Sequence, residues 1–125
     1  MRNDSVSLSG ISQGDIMDAL VVYITAPDED EAAKIARALV EGKLAACVNI
    51  IGDVRSIYSW QGEVEDEKEV LMIVKTRSEL FAALQARVKE LHSYIVPEII
   101  AMPIVDGSEE YVKWLNEATK QRNED

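Results

Sequence analysis

The chain has 125 residues, 47% of them hydrophobic, which suffices for one domain with a real core and leaves little room for a second. Its 23 acidic against 13 basic residues give a formal net charge of -10, which repels a phosphate backbone and argues against nucleic acid as a partner. The single cysteine excludes an intrachain disulfide, and no apolar run approaches the ~20 residues of a membrane span.

Residues 1–18 are rich in Ser, Gly, Asn and Asp and lack the apolar stretch of a secretory signal. They are expected to form a disordered tail ahead of one domain over 19–121. The β-rich run Leu20–Ala26 predicts a first strand that Pro27 ends. Asp28 is placed to cap a helix, with Glu29, Asp30 and Glu31 at its positive end. Ala32, Ile35, Ala36, Leu39 and Val40 then recur at helical spacing up to Gly42. A second strand is predicted from Leu44, bending at Gly52-Asp53 and resuming through Val54 to Trp60. Gln61-Gly62 marks a tight turn, and the return strand runs from Val64 to Thr76, giving a hairpin long for a domain of this size. Thr76 or Ser78 is expected to cap a helix whose stripe is Leu80, Phe81, Leu84, Val88 and Leu91. After the loop His92–Val96 and Pro97, a last strand is predicted over Glu98–Val105, with Pro103 suited to an edge. Gly107-Ser108 opens a terminal helix with the stripe Tyr111, Trp114, Leu115 and Ala118.

The order β-α-β-β-α-β plus a C-terminal helix predicts an α+β fold, the ferredoxin-like split βαβ sandwich. In that fold both main helices cover one sheet face. A second face open to water would show alternating apolar and polar residues. Val70–Val74, Leu44–Val48 and Ile99–Met102 are instead apolar on both sides. An uncovered apolar face of that extent predicts a partner, most simply another copy of the chain.

Thr25-Ala26-Pro27, Leu44–Asn49, Ser59-Trp60-Gln61-Gly62, Lys75-Thr76, and His92-Ser93-Tyr94 with Pro97-Glu98 follow one another in an order that resembles the CutA divalent-cation-tolerance family. The resemblance spans about Val21 to Leu115. It implies a ferredoxin-like subunit, a compact PII-like homotrimer in which the long hairpin pairs with neighbouring subunits, a cytoplasmic protein, and a role in tolerance of copper and other divalent metals. Family members for which copper ligation is proposed carry a cysteine in the first strand and two adjacent histidines before the tyrosine. Here Ile24 and Leu91 stand at two of those positions, and only His92 is kept.

Two side chains remain as candidate ligands for weakly bound copper or another divalent cation. Cys47 offers a soft thiolate, but its apolar strand also suits a core cysteine. His92 is the sole histidine, and a loop imidazole bonded to nearby backbone is its plainer reading. Glu63, Glu65, Asp66, Glu67 and Glu69 crowd the start of the return strand, where they blunt an exposed tip or bind cations weakly. Tyr58 and Trp60 suit packing on a neighbouring subunit. By analogy with family trimers, Trp60, Glu67, Lys75, Tyr94 and Glu98 are expected to line an inter-subunit cleft, beside a purely structural ion-pair reading. No phosphate loop, nucleophile elbow or base–nucleophile spacing is present, so no enzyme is expected. A PII-like signalling or scaffold module, binding a small ligand or partner protein in such clefts, is the second reading.

Overall fold

The computed structural model describes residues 18–122, so all but Asp18 of the tail expected over residues 1–18 lies outside the described residues. Within them the chain forms β1 (Ala19–Ala26), α1 (Glu29–Glu41), β2 (Cys47–Trp60), β3 (Glu63–Arg77), a 3-10 turn (Ser78–Leu80), α2 (Phe81–Leu91), β4 (Ile99–Pro103) and α3 (Glu109–Ala118). The strands make one antiparallel sheet in the order β2-β3-β1-β4. This is the expected split βαβ arrangement, and it puts the proline-containing β4 at an edge.

The strand period of two separates the sheet faces. Val22, Ile24 and Ala26 on β1 align with Val74, Met72 and Val70 on β3, and all six are buried. They pack with Ala32, Ile35 and Leu39 of α1 and Leu84 and Val88 of α2 into one core. Asp28 caps α1 as expected, its Oδ1 accepting from the Glu31 N–H at 2.8 Å. Val40 points away from this core and is exposed.

The other face carries Val21, Tyr23 and Thr25 opposite Lys75, Ile73 and Leu71. Ile51 of β2 and Ile100 and Met102 of β4 extend the same face. The helix α3 covers one end of it, where Leu115, Tyr111 and Ala118 pack with Ala19 and Ala46. Arg77 ties that helix down, donating from Nε to Thr119 Oγ1 and from Nη2 to the Thr119 carbonyl. Beyond α3 the face is uncovered in the subunit: Ile51 is 45% exposed, Met102 40% and Ile100 50%.

The hairpin overshoots the sheet. Residues 70–77 of β3 pair with β1, whereas 63–69 pair with β2 alone. The two-stranded arm that results is about 24 Å long at ~3.4 Å per residue. A bulge between Ile51 and Val54, with Asp53 at φ 58°, marks its root. At its tip Gln61 (φ 52°) and Gly62 (φ 84°) both take left-handed backbone, the combination a type I′ turn requires.

Three local expectations are corrected. Neither Thr76 nor Ser78 caps α2: the Thr76 hydroxyl donates to the Leu44 carbonyl, and the chain enters α2 through the 3-10 turn without a side-chain cap. The second strand starts at Cys47 instead of Leu44, because the Leu44 and Ala45 amides are drawn to the Leu39 carbonyl at the end of α1. The last strand is Ile99–Pro103, shorter than Glu98–Val105. It ends at Pro103, although the Ile104 N–H still donates to the Ala19 carbonyl.

Candidate functional site

The root of the arm, the end of β1 and the loop between α2 and β4 enclose an open cleft of about 890 Å³. Its walls include Tyr58, Trp60, Glu65, Glu67, Glu69, Tyr94 and Glu98. The strand period explains the acidic wall. Glu65, Glu67 and Glu69 occupy alternate positions of β3 and share one face, opposite Tyr58, Ser56 and Val54 of β2.

Tyr94 closes the inner end, its phenol donating to Glu69 Oε2 at 2.7 Å. Burial, then this bond and the charges of Glu69 and Glu67, push the Tyr94 phenol well above the ordinary phenol range. Tyr58 is raised as well, chiefly by desolvation and then by the charges of Glu67, Glu65 and Glu69. Arg55 also reaches the cleft, but its guanidinium is held by Asp66 through two bonds of 2.9 and 2.7 Å. That pair is exposed on both sides and adds little to stability.

The Tyr94 environment gives a pH prediction. A phenol pKa raised in the fold stabilises it below the unfolded value, and that contribution is lost as pH rises towards the folded value. In an ultraviolet titration of the folded protein, Tyr94→Phe should therefore leave the absorbance change between about pH 9 and 11 nearly unaltered. Loss of one tyrosine's worth of signal in that range would contradict the assignment.

His92 holds the loop in place. Its side chain is fully buried, and Nε2 donates to the Thr25 carbonyl at 2.7 Å. Nδ1 accepts from the Tyr94 N–H at 3.0 Å, which fixes the Nε2–H tautomer. Glu31 Oε2 lies 3.4 Å from Nδ1 and accepts from the Ser93 amide and hydroxyl, each at 3.0 Å. Both ring nitrogens are thus committed to the fold, and the ring packs 4.7 Å from that of Tyr94.

Cys47 is elsewhere. It is half-buried on the second face, 3.9 Å from Asn49 Oδ1 and beside Tyr111, whose phenol is raised first by burial and then by Cys47. Cys47 pairs with Lys75, and Lys75 with Val21, four residues along β1 from the Thr25 that His92 bonds. Cys47 and His92 are therefore about 13 Å apart along the strand direction and two strands apart across it. Lys75 bonds Asn49 Oδ1 at the same level, outside the cleft of its own subunit. Of the residues expected to line a cleft, Trp60, Glu67, Tyr94 and Glu98 are brought together and Lys75 is not. Among the described residues no group of three or more His, Cys, Asp or Glu is placed to hold one metal ion.

The fold has counterparts. A family model described as CutA1 divalent ion tolerance protein matches residues 20–118, nearly all of the described chain. This chain belongs to the CutA1 family. The divalent-cation tolerance protein CutA of Thermus thermophilus is 56% identical over 99 residues, spanning 79% of this chain and 96% of that one. An Arabidopsis thaliana relative named chloroplastic CutA is 44% identical over 102 residues, 82% of this chain and 56% of its own length. The solved structure of an Archaeoglobus fulgidus CutA, titled a periplasmic divalent cation tolerance protein, superposes with a TM-score of 0.79 at 47% identity. It is covered to 99%, against 82% of this chain. The family is named for tolerance of divalent ions and for no reaction. Its relatives carry names from more than one compartment, and no helix among the described residues is long and apolar enough to cross a membrane.

Proposed function

We propose that this protein supports tolerance of divalent cations, copper among them, as a cytoplasmic homotrimer that binds metal modestly. The observation that carries the reading is the acidic cleft of a CutA1 subunit, where Glu67 and Glu98 face a shared space beside Tyr94. Carboxylates at the mouth of a chain of net charge -10 concentrate hard cations without caging them. The uncovered apolar face, continuous across β2, β3, β1 and β4, favours assembly with further copies. Ligation by His92 would require breaking its bonds to Thr25 and Tyr94, and ligation by Cys47 would use a thiol separated from it by two strands.

Calorimetric titration with copper, zinc and manganese tests this. Weak binding is expected in the wild type, unchanged in a His92→Ala, Cys47→Ala double variant that still folds, and diminished in a Glu67→Gln, Glu98→Gln double variant. Loss of binding in the first variant alone would move the site to the histidine and the thiol. Absence of heats from every metal would sink direct binding. The size and aromatic wall of the cleft favour one second reading, a PII-like module that takes a small ligand there.

A further inference from the structure

The ring of His92 joins three parts of the chain. Its Nε2–H is held by the Thr25 carbonyl of β1 at 2.7 Å, and its Nδ1 takes the Tyr94 N–H at 3.0 Å. Glu31 Oε2, from the first turn of α1, stands 3.4 Å from that same Nδ1. It makes no hydrogen bond to the neutral ring, because a carboxylate and an unprotonated Nδ1 are both acceptors. It takes the Ser93 N–H and hydroxyl instead, each at 3.0 Å. The loop after α2 therefore hangs by successive backbone amides, Ser93 on Glu31 and Tyr94 on His92.

These contacts leave one place for a second proton. The Thr25 carbonyl can only accept, so Nε2 carries the first hydrogen and Nδ1 must carry the next. A proton there sets two donors, Nδ1–H and the Tyr94 N–H, against each other. It also offers Glu31 a charged donor, stronger than the neutral amide and hydroxyl of Ser93. The ring is fully buried, and an imidazolium in such a place needs a carboxylate beside it. The other elements packed around it supply none. From α2 the Val88 carbonyl takes the His92 N–H, and the nearby Lys89 and Glu90 are exposed. Glu29 of α1 lies against Gly52 at the root of the arm, and Glu69 of β3 is engaged by the Tyr94 phenol. The Tyr94 ring packs 4.7 Å away, and its phenol, pushed above the ordinary range, stays neutral. His92 is the only histidine in the sequence, and imidazole is the side chain whose ordinary titration falls between about pH 5 and 8.

We propose that His92 and Glu31 form a proton-operated latch on the loop 93–97: when Nδ1 takes a proton from solvent, Glu31 moves from Ser93 to the imidazolium and the Tyr94 amide is expelled. Ser93 and Tyr94 lose their backbone anchors together, while Nε2 keeps the ring on Thr25. Tyr94 is then tied only by its phenol to Glu69, so the proton loosens the residue that closes the inner end of the cleft. Every partner in the latch belongs to one chain, and the ring is buried within it, so the device is complete in the subunit whatever packs on the cleft.

The test is hydrogen–deuterium exchange of the full chain in metal-free buffer at about pH 7.5 and about pH 5.5, either side of the imidazole range. Each rate is divided by that of an unstructured peptide of the same sequence at the same pH. Protection of the Ser93 and Tyr94 amides should fall about tenfold at the lower pH, the worth of one ordinary hydrogen bond each, while β1 is unchanged. Glu31→Gln keeps an acceptor for Ser93 but gives an imidazolium no counter-charge, and His92→Gln removes the titrating group. In both variants the ratio of protection between the two pH values should be near one. Equal protection of the wild-type amides at both pH values would overturn the proposal. So would a fall that survives in either variant; survival in His92→Gln would assign the acid response to a carboxylate. Should His92→Gln fail to fold, Glu31→Gln, on a partly exposed helix position, decides alone.

Discussion

If copies of this chain assemble across the open sheet face as proposed, Ile100→Asp is expected to split them into folded monomers. Ile100 lies on the edge strand β4, on the sheet face away from α1 and α2, paired with Tyr23. In a single subunit half of it is exposed, so an aspartate there keeps its carboxylate in water and disturbs little. If another copy covers that face, the same carboxylate is buried without a partner, at a penalty of several kcal/mol for each interface. Sedimentation velocity should show the wild type as an oligomer and the variant at the mass of one chain, with an unchanged far-ultraviolet circular dichroism spectrum. A variant that sediments with the wild type would show that this face is not the interface.

The second large effect is on the subunit core. Ile24 is fully buried at the centre of β1, between Met72 of β3 and Ile99 of β4 and beneath the two helices. Ile24→Ala removes three carbons from a site closed on every side and should destabilise by about 3–4 kcal/mol, the transfer free energy plus the cavity left behind. The measurement belongs on the Ile100→Asp monomer, where unfolding is not linked to assembly and a two-state analysis holds. A loss of roughly 15 °C in Tm is expected for a domain of this size. A change under a few degrees would mean that the core does not close around β1 as described.

The same residue illustrates how far the sequence could be read. Ile24 stands where proposed copper-binding relatives carry a cysteine, and the sequence alone shows only that a ligand is replaced. Its burial among Met72 and the helices gives that position a packing role. Strand identity and the two faces were legible because alternation and β-branched runs report directly on burial. The bend at Gly52-Asp53 and the tight turn at Gln61-Gly62 were legible from glycine and its neighbours, which accept left-handed backbone. Caps were harder. Thr76 with Glu79 satisfies the capping pattern, but the Thr76 hydroxyl donates to the Leu44 carbonyl, 32 positions away in sequence, and accepts from no helix N–H. No local pattern encodes such a contact.

The cleft was partly legible for a related reason. Trp60, Glu67, Tyr94 and Glu98 meet within one chain, whereas the cleft that the family resemblance implies lies between subunits and takes in Lys75. Glu69 was visible only as one acid among five, although the alternation Glu65, Glu67, Glu69 already places three on one strand face. Its burial depends on Tyr94, which reaches it from a loop 25 residues away. A backbone-bonded imidazole was the plainer reading of His92 and is what is found, but its partners were invisible for the same reason. Its acceptor Thr25 is 67 residues distant, and Glu31, which faces its other nitrogen, sits on α1. A loop histidine with open nitrogens and one with both nitrogens committed read identically in sequence.

The sheet with two apolar faces, one covered by helices and one left open beyond α3, is the centre of the account. Sedimentation equilibrium of the wild-type chain at micromolar concentration tests it most directly. A single species at three times the 13.9 kDa chain mass is the expected result. A monomer with that face open to water would contradict it.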